Sequence, residues 1–306
     1  MPLPQSLNQP IAAALKELGD STPVCAASTL NGGMVNHALR LETRQGRYML
    51  KWNADPLPGV FETEARGLKL LASVGAIRVP EVYAYAEING NGHDHPAYIL
   101  MEWLEPSPEG ITRETYARLG EQLAALHRQG ISPQDPPAYG LDHDNYLGIG
   151  VQHNRWETDW VQFFIEMRLL PQMEWAARNG RLPLERRRRC ERVIARLPDL
   201  LSGVERRPCL THGDLWIGNV IQSTGGVALI DPAVYYADRE TELAYTQMFG
   251  GGFDPAFYEA YNAVWPLEPG YPERRDLYNL YHMINHLNHF GDQYAPYVDD
   301  VLRRYA

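Results

Sequence analysis

An α+β fold in two lobes is the architecture this sequence predicts: a small antiparallel sheet with one inserted helix, then a mainly helical body. Three observations carry it. Apolar and polar residues follow extended patterns through 24–53 and again through 82–103, whereas the stretch between them repeats with the period of a helix. Beyond Pro106 and Pro108 most long segments have helical spacing. At 306 residues the chain is long enough for two lobes, and the prolines divide it into 1–105 and 106–306.

In chain order, Asn8 ahead of Pro10 marks a cap and first-turn proline for a helix through Leu18. Strands are expected from Val24 into Asn31-Gly32-Gly33, over 35–42, and, past a turn at Gln45-Gly46, over 48–52. A helix follows over 60–74, with Phe61, Ala65, Leu68 and Leu71 on one face. Segments 82–86 and 97–103 are two more strands about the turn Asn89-Gly90-Asn91-Gly92. Glu102-Trp103-Leu104-Glu105 then leads out of the sheet.

In the second lobe, a helix over 112–128 places Tyr116, Leu119, Leu123 and Leu126 on one stripe and stops at Gly130. Residues 131–155 read as irregular, a length usually found in loops that are functional or ordered by packing. Helices are expected over 160–179 and 183–202. A short strand at 208–211, an extended stretch at 219–222 and a turn at 223–226 precede an apolar strand, 227–230, that delivers Asp231 to its end. Three more helices, 240–249, 255–265 and 272–290, complete the lobe.

His212, Asp214 and Asn219 lie on one short loop, with Asp231 one hairpin later. That is the spacing of a phosphoryl-transfer loop, in which one aspartate accepts a hydroxyl proton while the asparagine and the later aspartate hold Mg2+. Such an ion keeps waters and phosphate oxygens in its shell, so one carboxylate and one amide oxygen suffice from the protein. His-Gly-Asp alone would be an ordinary turn; the register of Asn219 and Asp231 is what points to chemistry.

Lys51 is one of only three lysines among 28 basic residues and ends the third strand, whereas Lys16 and Lys69 lie on helix-patterned segments. In a phosphotransferase a lysine so placed contacts nucleotide phosphates and is steadied by a glutamate on the next helix. Glu64 is chosen over Glu62 for that role, the alternative being a surface carboxylate. Gly32 and Gly33 would let backbone amides approach a phosphate, or form a plain hairpin turn. The backbone of Glu102, Trp103 and Leu104 would meet an adenine edge, or be a bare linker. His282, His286 and His289 share helical spacing, but without a partnering carboxylate they read as packing or surface residues rather than a metal site.

A net charge of -10 argues against nucleic acid as a partner, and the four arginines at 186–189 read as a solvated helix face. Cys25, Cys190 and Cys209 are too few and scattered for a disulfide framework or a zinc site and fit a reducing cytoplasm. No run approaches a membrane span, and the first ten residues lack the basic and apolar regions of a signal peptide. A cytoplasmic monomer with no membrane partner is expected.

The strings KWN at 51 to 53, FETEARGL at 61 to 68, MEWLE at 101 to 105, YGLDHDNYLG at 139 to 148, HGDLWIGN at 212 to 219, DPAVYYADRE at 231 to 240 and LYHMINHLNHFG at 280 to 291 carry a resemblance. Over essentially its whole length the chain resembles the fructosamine kinase (ketosamine-3-kinase) family, a branch of the aminoglycoside phosphotransferase and protein-kinase-like fold. HGDLWIGN and DPAVYYADRE are specific to that family, whereas His-x-Asp-x4-Asn is shared by many phosphotransferases.

The resemblance implies an ATP- and Mg2+-dependent kinase acting on the sugar 3-hydroxyl of ketosamines, free or protein-bound, which makes the adduct labile and so promotes deglycation. Residue by residue it implies Asp214 as the base, Asn219 and Asp231 on the metal, and Lys51 with Glu64 on the phosphates. Glu102, Trp103 and Leu104 would form the adenine hinge, and Gly32 and Gly33 the nucleotide turn. Trp216 would be a wall for the sugar with His212 beside it, and Glu242 a brace of the catalytic loop. Gly213 stands where protein kinases have arginine, so control by a phosphorylated activation loop is not expected. Met34 stands near the turn where some members carry a redox-active cysteine, which counts against a disulfide-switched dimer. Two other readings compete. Another small-molecule kinase of this fold, using an aminoglycoside, choline or homoserine hydroxyl, is opposed by DPAVYYADRE and the Tyr139 loop. A nucleotide-binding pseudokinase scaffold is opposed by the presence of Lys51, Asp214, Asn219 and Asp231 together.

Overall fold

Residues 3–30, 35–88 and 95–306 are described by the structure, a computed structural model; Gly32, Gly33, Met34 and the expected turn at 89–92 lie outside them. The chain divides into two units, Met1–Gly110 with Ile221–Pro232, and Ile111–Val220 with Ala233–Ala306. Segment 221–232 thus groups with the first unit, whereas the sequence reading placed it in the second.

In the first unit, α1 (Asn8–Glu17) follows a 3-10 turn, Gln5–Leu7. Asn8 is accordingly the first helical residue and not the cap, which is Leu7 and offers no side-chain bond. The strands are β1 (Ala26–Thr29), β2 (His37–Glu42) and β3 (Arg47–Asn53), then, after α2 (Val60–Val74), β4 (Val82–Ala86) and β5 (Ala97–Glu102). They form one antiparallel sheet in the order β1-β2-β3-β5-β4. Ile11 and Leu15 of α1 share a core with Leu39, Leu41, Leu50 and Leu100. Successive residues of a strand face opposite sides, so Leu50 faces α1 and Lys51 faces away from it. The buried face of α2, with Phe61, Ala65, Leu68 and Leu71, packs beside β4 and β5.

The second unit opens with α3 (Arg113–Gln129), capped by the Thr112 side chain, which accepts from the Thr115 N–H. The stretch expected to be irregular contains a short hairpin, β6 (Asn145–Leu147) and β7 (Gly150–Gln152). Polar side chains hold it: Gln152 Nε2 donates to Asn145 Oδ1 at 2.8 Å and Asn145 Nδ2 donates to Val234 O at 2.9 Å. Three-residue strands tied by buried amides leave no apolar alternation to read. The helix expected over 160–179 is instead α4 (Trp160–Phe163), a π-helical stretch (Phe164–Leu169) and α5 (Leu170–Arg178). Pro171 has no N–H to return to the fourth carbonyl before it, and the widened turn precedes it.

After α6 (Leu184–Leu200), β8 (Cys209–Thr211) leads into the loop that carries His212, Asp214 and Asn219. The hairpin of β9 (Val220–Ser223) and β10 (Gly226–Leu229) follows. It joins the first unit by Ser107 N–H to Gln222 O at 2.8 Å and Leu229 N–H to Arg78 O at 2.9 Å. A strand not read from the sequence, β11 (Tyr235–Ala237), pairs antiparallel with β8. The helices α7 (Arg239–Thr246), α8 (Pro255–Val264), α9 (Tyr271–Phe290) and α10 (Ala295–Tyr305) close the unit. Its aromatic core includes Trp160, Phe163, Phe164, Tyr235 and Tyr278. Among the described residues no helix is long and apolar enough to cross a membrane.

Candidate active site

The first unit brings three of the expected residues together. Lys51 Nζ donates to Glu64 Oε1 at 2.6 Å and also to Asp231 Oδ1. The pleat that turns Leu50 to the α1 core turns Lys51 to the opposite face, where α2 supplies Glu64. Burial works against the lysine's charge, but the Asp231 and Glu64 carboxylates outweigh it and hold its pKa above the ordinary value. Burial raises the Glu64 pKa, with the Asp231 charge adding to it against the pull of Lys51. One ammonium therefore serves two carboxylates, of which Asp231 is the open one, its side chain 45% exposed against 12% for Glu64.

Asp231 stands at φ 55°, in the left-handed region that few residues other than glycine, asparagine and aspartate occupy. Such conformations persist where the surroundings over-determine them, commonly at functional sites. At the exit of the sheet, Glu102 ends β5 and its carboxylate accepts from Arg78 at 2.5 Å. The backbone of Trp103 and Leu104 lies past the last rung of the ladder. Leu104 is buried, and the Trp103 indole donates to Glu105 at 3.0 Å.

The second unit builds the loop between β8 and β9 on which the expected base and metal residues lie. Asn219 Nδ2 donates to Asp214 O at 2.8 Å and to Asp214 Oδ2 at 3.2 Å. Both bonds use the amide nitrogen, which leaves the Asn219 oxygen available as an acceptor. Trp216 is 48% exposed, with its ring folded over Gly218, where a Cβ would come within 2.1 Å of it. Gly213 adopts φ +82°, and a Cβ there would lie 2.0 Å from Ala233 O. Close backbone approach thus gives a physical reason for glycine, and not arginine, between His212 and Asp214.

His212, expected beside the substrate, is fully buried, and its Nδ1 accepts from the Asp214 N–H at 3.3 Å. Its ring thus supports the turn of the loop from inside. Glu242 receives the loop's backbone: Gly213 N–H donates to its Oε1 at 2.8 Å and His212 N–H to its Oε2 at 3.1 Å. Burial would push the Glu242 carboxyl up, but the His127 hydrogen bond, the His127 and His212 charges and the Gly213 amide together hold it below its ordinary value.

His127 is the residue the sequence reading missed here. It is fully buried, with Nε2 at 2.9 Å from Glu242 Oε2 and Nδ1 at 2.8 Å from Tyr261 Oη. The signal was present: His127 falls four residues after Leu123, on the apolar stripe of α3, where a buried imidazole needs partners. His282, His286 and His289 pack among aromatic rings, as the sequence suggested, with His282 stacked on Tyr245. Among the described residues no group of three His, Cys, Asp or Glu side chains could hold a metal ion.

Comparison with known proteins matches residues 7–306 to the fructosamine kinase family model. A probable ketoamine kinase of Enterococcus faecium is 38% identical over 298 residues, spanning 97% of this chain and 99% of the relative. The chloroplastic protein-ribulosamine 3-kinase of Oryza sativa subsp. indica is 36% identical over 300 residues, 96% of this chain and 84% of that one. Among solved structures, a candidate fructosamine-3-kinase from Thermobifida fusca superposes with a TM-score of 0.84 at 31% identity, covering 97% of this chain and 98% of the other. The aminoglycoside phosphotransferase APH(4)-Ia in complex with ADP and hygromycin B gives 0.63 at 15% identity, covering 99% of each chain, a likeness of fold.

Proposed function

Because this chain belongs to the fructosamine kinase family, we propose that it transfers the γ-phosphoryl group of ATP, with Mg2+, to the sugar 3-hydroxyl of a ketosamine, free or carried on a protein amine. The observation that supports this best is the family match over residues 7–306, joined to a loop in which Asn219 holds Asp214 by its carboxylate and its carbonyl.

Asp214 accepts the proton of the attacking hydroxyl as the new oxygen–phosphorus bond forms and the bond to ADP breaks. Lys51, steadied by Glu64, binds nucleotide phosphate oxygens. The backbone of Glu102, Trp103 and Leu104 receives the adenine edge. The Asp231 carboxylate and the Asn219 amide oxygen would hold Mg2+, a hard-oxygen set suited to an ion that brings its own waters and phosphate oxygens. When bound, Mg2+ neutralises charge on the transferring phosphates. Trp216 lies against the sugar. Phosphate at C3 leaves readily once the ketosamine enolises toward C1, and water hydrolyses the resulting imine to free the amine.

A panel of fructosamines, ribulosamines and erythrulosamines beside aminoglycosides and choline, with ADP formation as readout, tests the reading. Turnover confined to the ketosamines, with a 3-phosphate product, is expected. Turnover of an aminoglycoside or choline with none on any ketosamine would replace it with the other small-molecule kinase reading.

A further inference from the structure

We propose that Phe249, Tyr294 and Tyr297 form an aromatic seat for the amine side of the substrate, holding the alkylammonium carrier of the ketosamine beside the loop on which the sugar is phosphorylated. The inference rests on the ketosamine reading and concerns the part of the substrate that Trp216 is not asked to hold. Phe249 meets Tyr297 of α10 with ring centroids 4.7 Å apart, and Tyr294 with centroids 5.5 Å apart. His286 of α9 completes the cluster, 5.4 Å from Phe249 and 5.2 Å from Tyr294. Rings that served only the core would be covered, yet Phe249 and Tyr297 are each 46% exposed.

The backbone brings this patch to the loop. Phe249 stands at φ 54°, and Gly250, Gly251 and Gly252 continue in the left-handed region at 90°, 69° and 79°. For a phenylalanine that conformation is costly, and such strain is kept mostly where a site needs it. The run coils back until Gly252 lies on the loop: a Cβ there would come within 3.2 Å of the side chain of Ile217, which follows Trp216 in the chain. The Tyr116 hydroxyl secures that contact by donating to Gly252 O at 2.9 Å. In a ketosamine the nitrogen is on C1 and the reacting hydroxyl on C3, so the carrier leaves the sugar close to this loop. The nitrogen is a secondary amine, protonated near neutral pH, and an alkylammonium is drawn to the electron-rich faces of aromatic rings. Among the described residues no lysine or arginine lies over the Phe249, Tyr294 or Tyr297 rings, so those faces are not already taken. His286 does not compete as a cation, because burial lowers its pKa against the pull of its bond to the His282 carbonyl.

The test compares the N-butyl ketosamine of whichever sugar the substrate panel favours with the ether that carries oxygen in place of the C1 nitrogen, the same sugar and chain without the charge. Dissociation constants are measured by calorimetry for the parent, Tyr297→Leu and Phe249→Leu, with ADP formation on the amine followed in parallel. Leucine keeps apolar area and removes the π face. The parent should bind the amine about tenfold more tightly than the ether, and each variant should cut that preference about threefold. A preference that both variants keep overturns the seat while the ketosamine reading stands, since the amine is still phosphorylated. Equal binding of amine and ether by the parent overturns it in the same way. A parent dimer, seen by light scattering, that Tyr297→Leu dissociates with the preference unchanged also overturns it, the rings then joining two copies of the chain. A parent that phosphorylates no ketosamine of the panel withdraws the ketosamine reading, and the seat with it.

Discussion

The Gly213 N–H donates to Glu242 Oε1 across 2.8 Å, so a helix side chain replaces solvent as the partner of the catalytic loop's backbone. With His212 N–H and His127 Nε2 on the other oxygen, the carboxylate accepts three hydrogen bonds and has no need of a donor of its own. Glu242→Gln puts an NH2 group against one of these donors. A loss of about 2–4 kcal/mol is expected, with kcat down at least about tenfold. Urea unfolding and steady-state turnover on one preparation check it, and parent stability together with parent kcat would remove Glu242 as the brace.

Lys51 is the shared cation of two carboxylates, Glu64 and Asp231. Lys51→Met should leave a folded protein, because Glu64, whose pKa burial already raises, can take up a proton once its partner is gone. Turnover should nonetheless fall by about 10²-fold or more, since phosphoryl transfer depends on charge placed against the phosphates. Single-turnover transfer at saturating ATP is the measurement, and an unchanged rate would take Lys51 out of the site.

Where residues announce their environment by period or by rare composition, the sequence was legible. The helix expected over 60–74 is α2, Val60–Val74, and Lys51, noticed as a rare lysine at a strand end, meets Glu64 on it. The presence of five strands and one inserted helix was equally readable, but not the order β1-β2-β3-β5-β4, in which β5 rather than β4 lies beside β3. What escaped was set by long-range contact. Pairing of β11 with β8 depends on residues 24 apart in sequence, such as Tyr235 and Thr211, and leaves no local pattern. His127 meets Glu242 across 115 residues, a distance at which no spacing rule applies. The complete burial of His212 likewise leaves no local pattern in the sequence.

The histidines of α9 give the fold a pH dependence whose sign follows from burial. Burial, His286 and Arg168 depress the His282 pKa well below 6.5, and burial likewise lowers His286 and His289. His282 also faces Tyr245 and Tyr281. An unfolded histidine titrates near about 6.5, so below that pH the unfolded chain binds more protons than the folded one. Their contribution to stability is complete above about pH 6.5 and falls as pH drops. Melting temperature should therefore decline from about pH 7 to about pH 5, and less steeply in His282→Gln. Parallel melting curves for parent and variant across that range would show that His282 does not carry the effect.

Trp216 offers the test of how the sugar is held. Its ring is backed by Gly218 on one side and is 48% exposed overall, so the open face is available to a flat or weakly curved apolar surface such as the C–H face of a sugar. An aromatic ring contributes contact area with little rotamer freedom to lose, and removing it should weaken ketosamine binding. Trp216→Ala is expected to raise KM for the ketosamine by about tenfold while KM for ATP stays within about twofold, a pattern that separates a substrate wall from a structural support. Gly218→Ala gives an independent handle, because its Cβ would come within 2.1 Å of the ring and push it from its seat without deleting it. The two variants should shift the ketosamine KM in the same direction. Equal effects on both substrates in Trp216→Ala, or none, would instead make Trp216 a packing residue of the loop, and the sugar wall would have to be sought on another element.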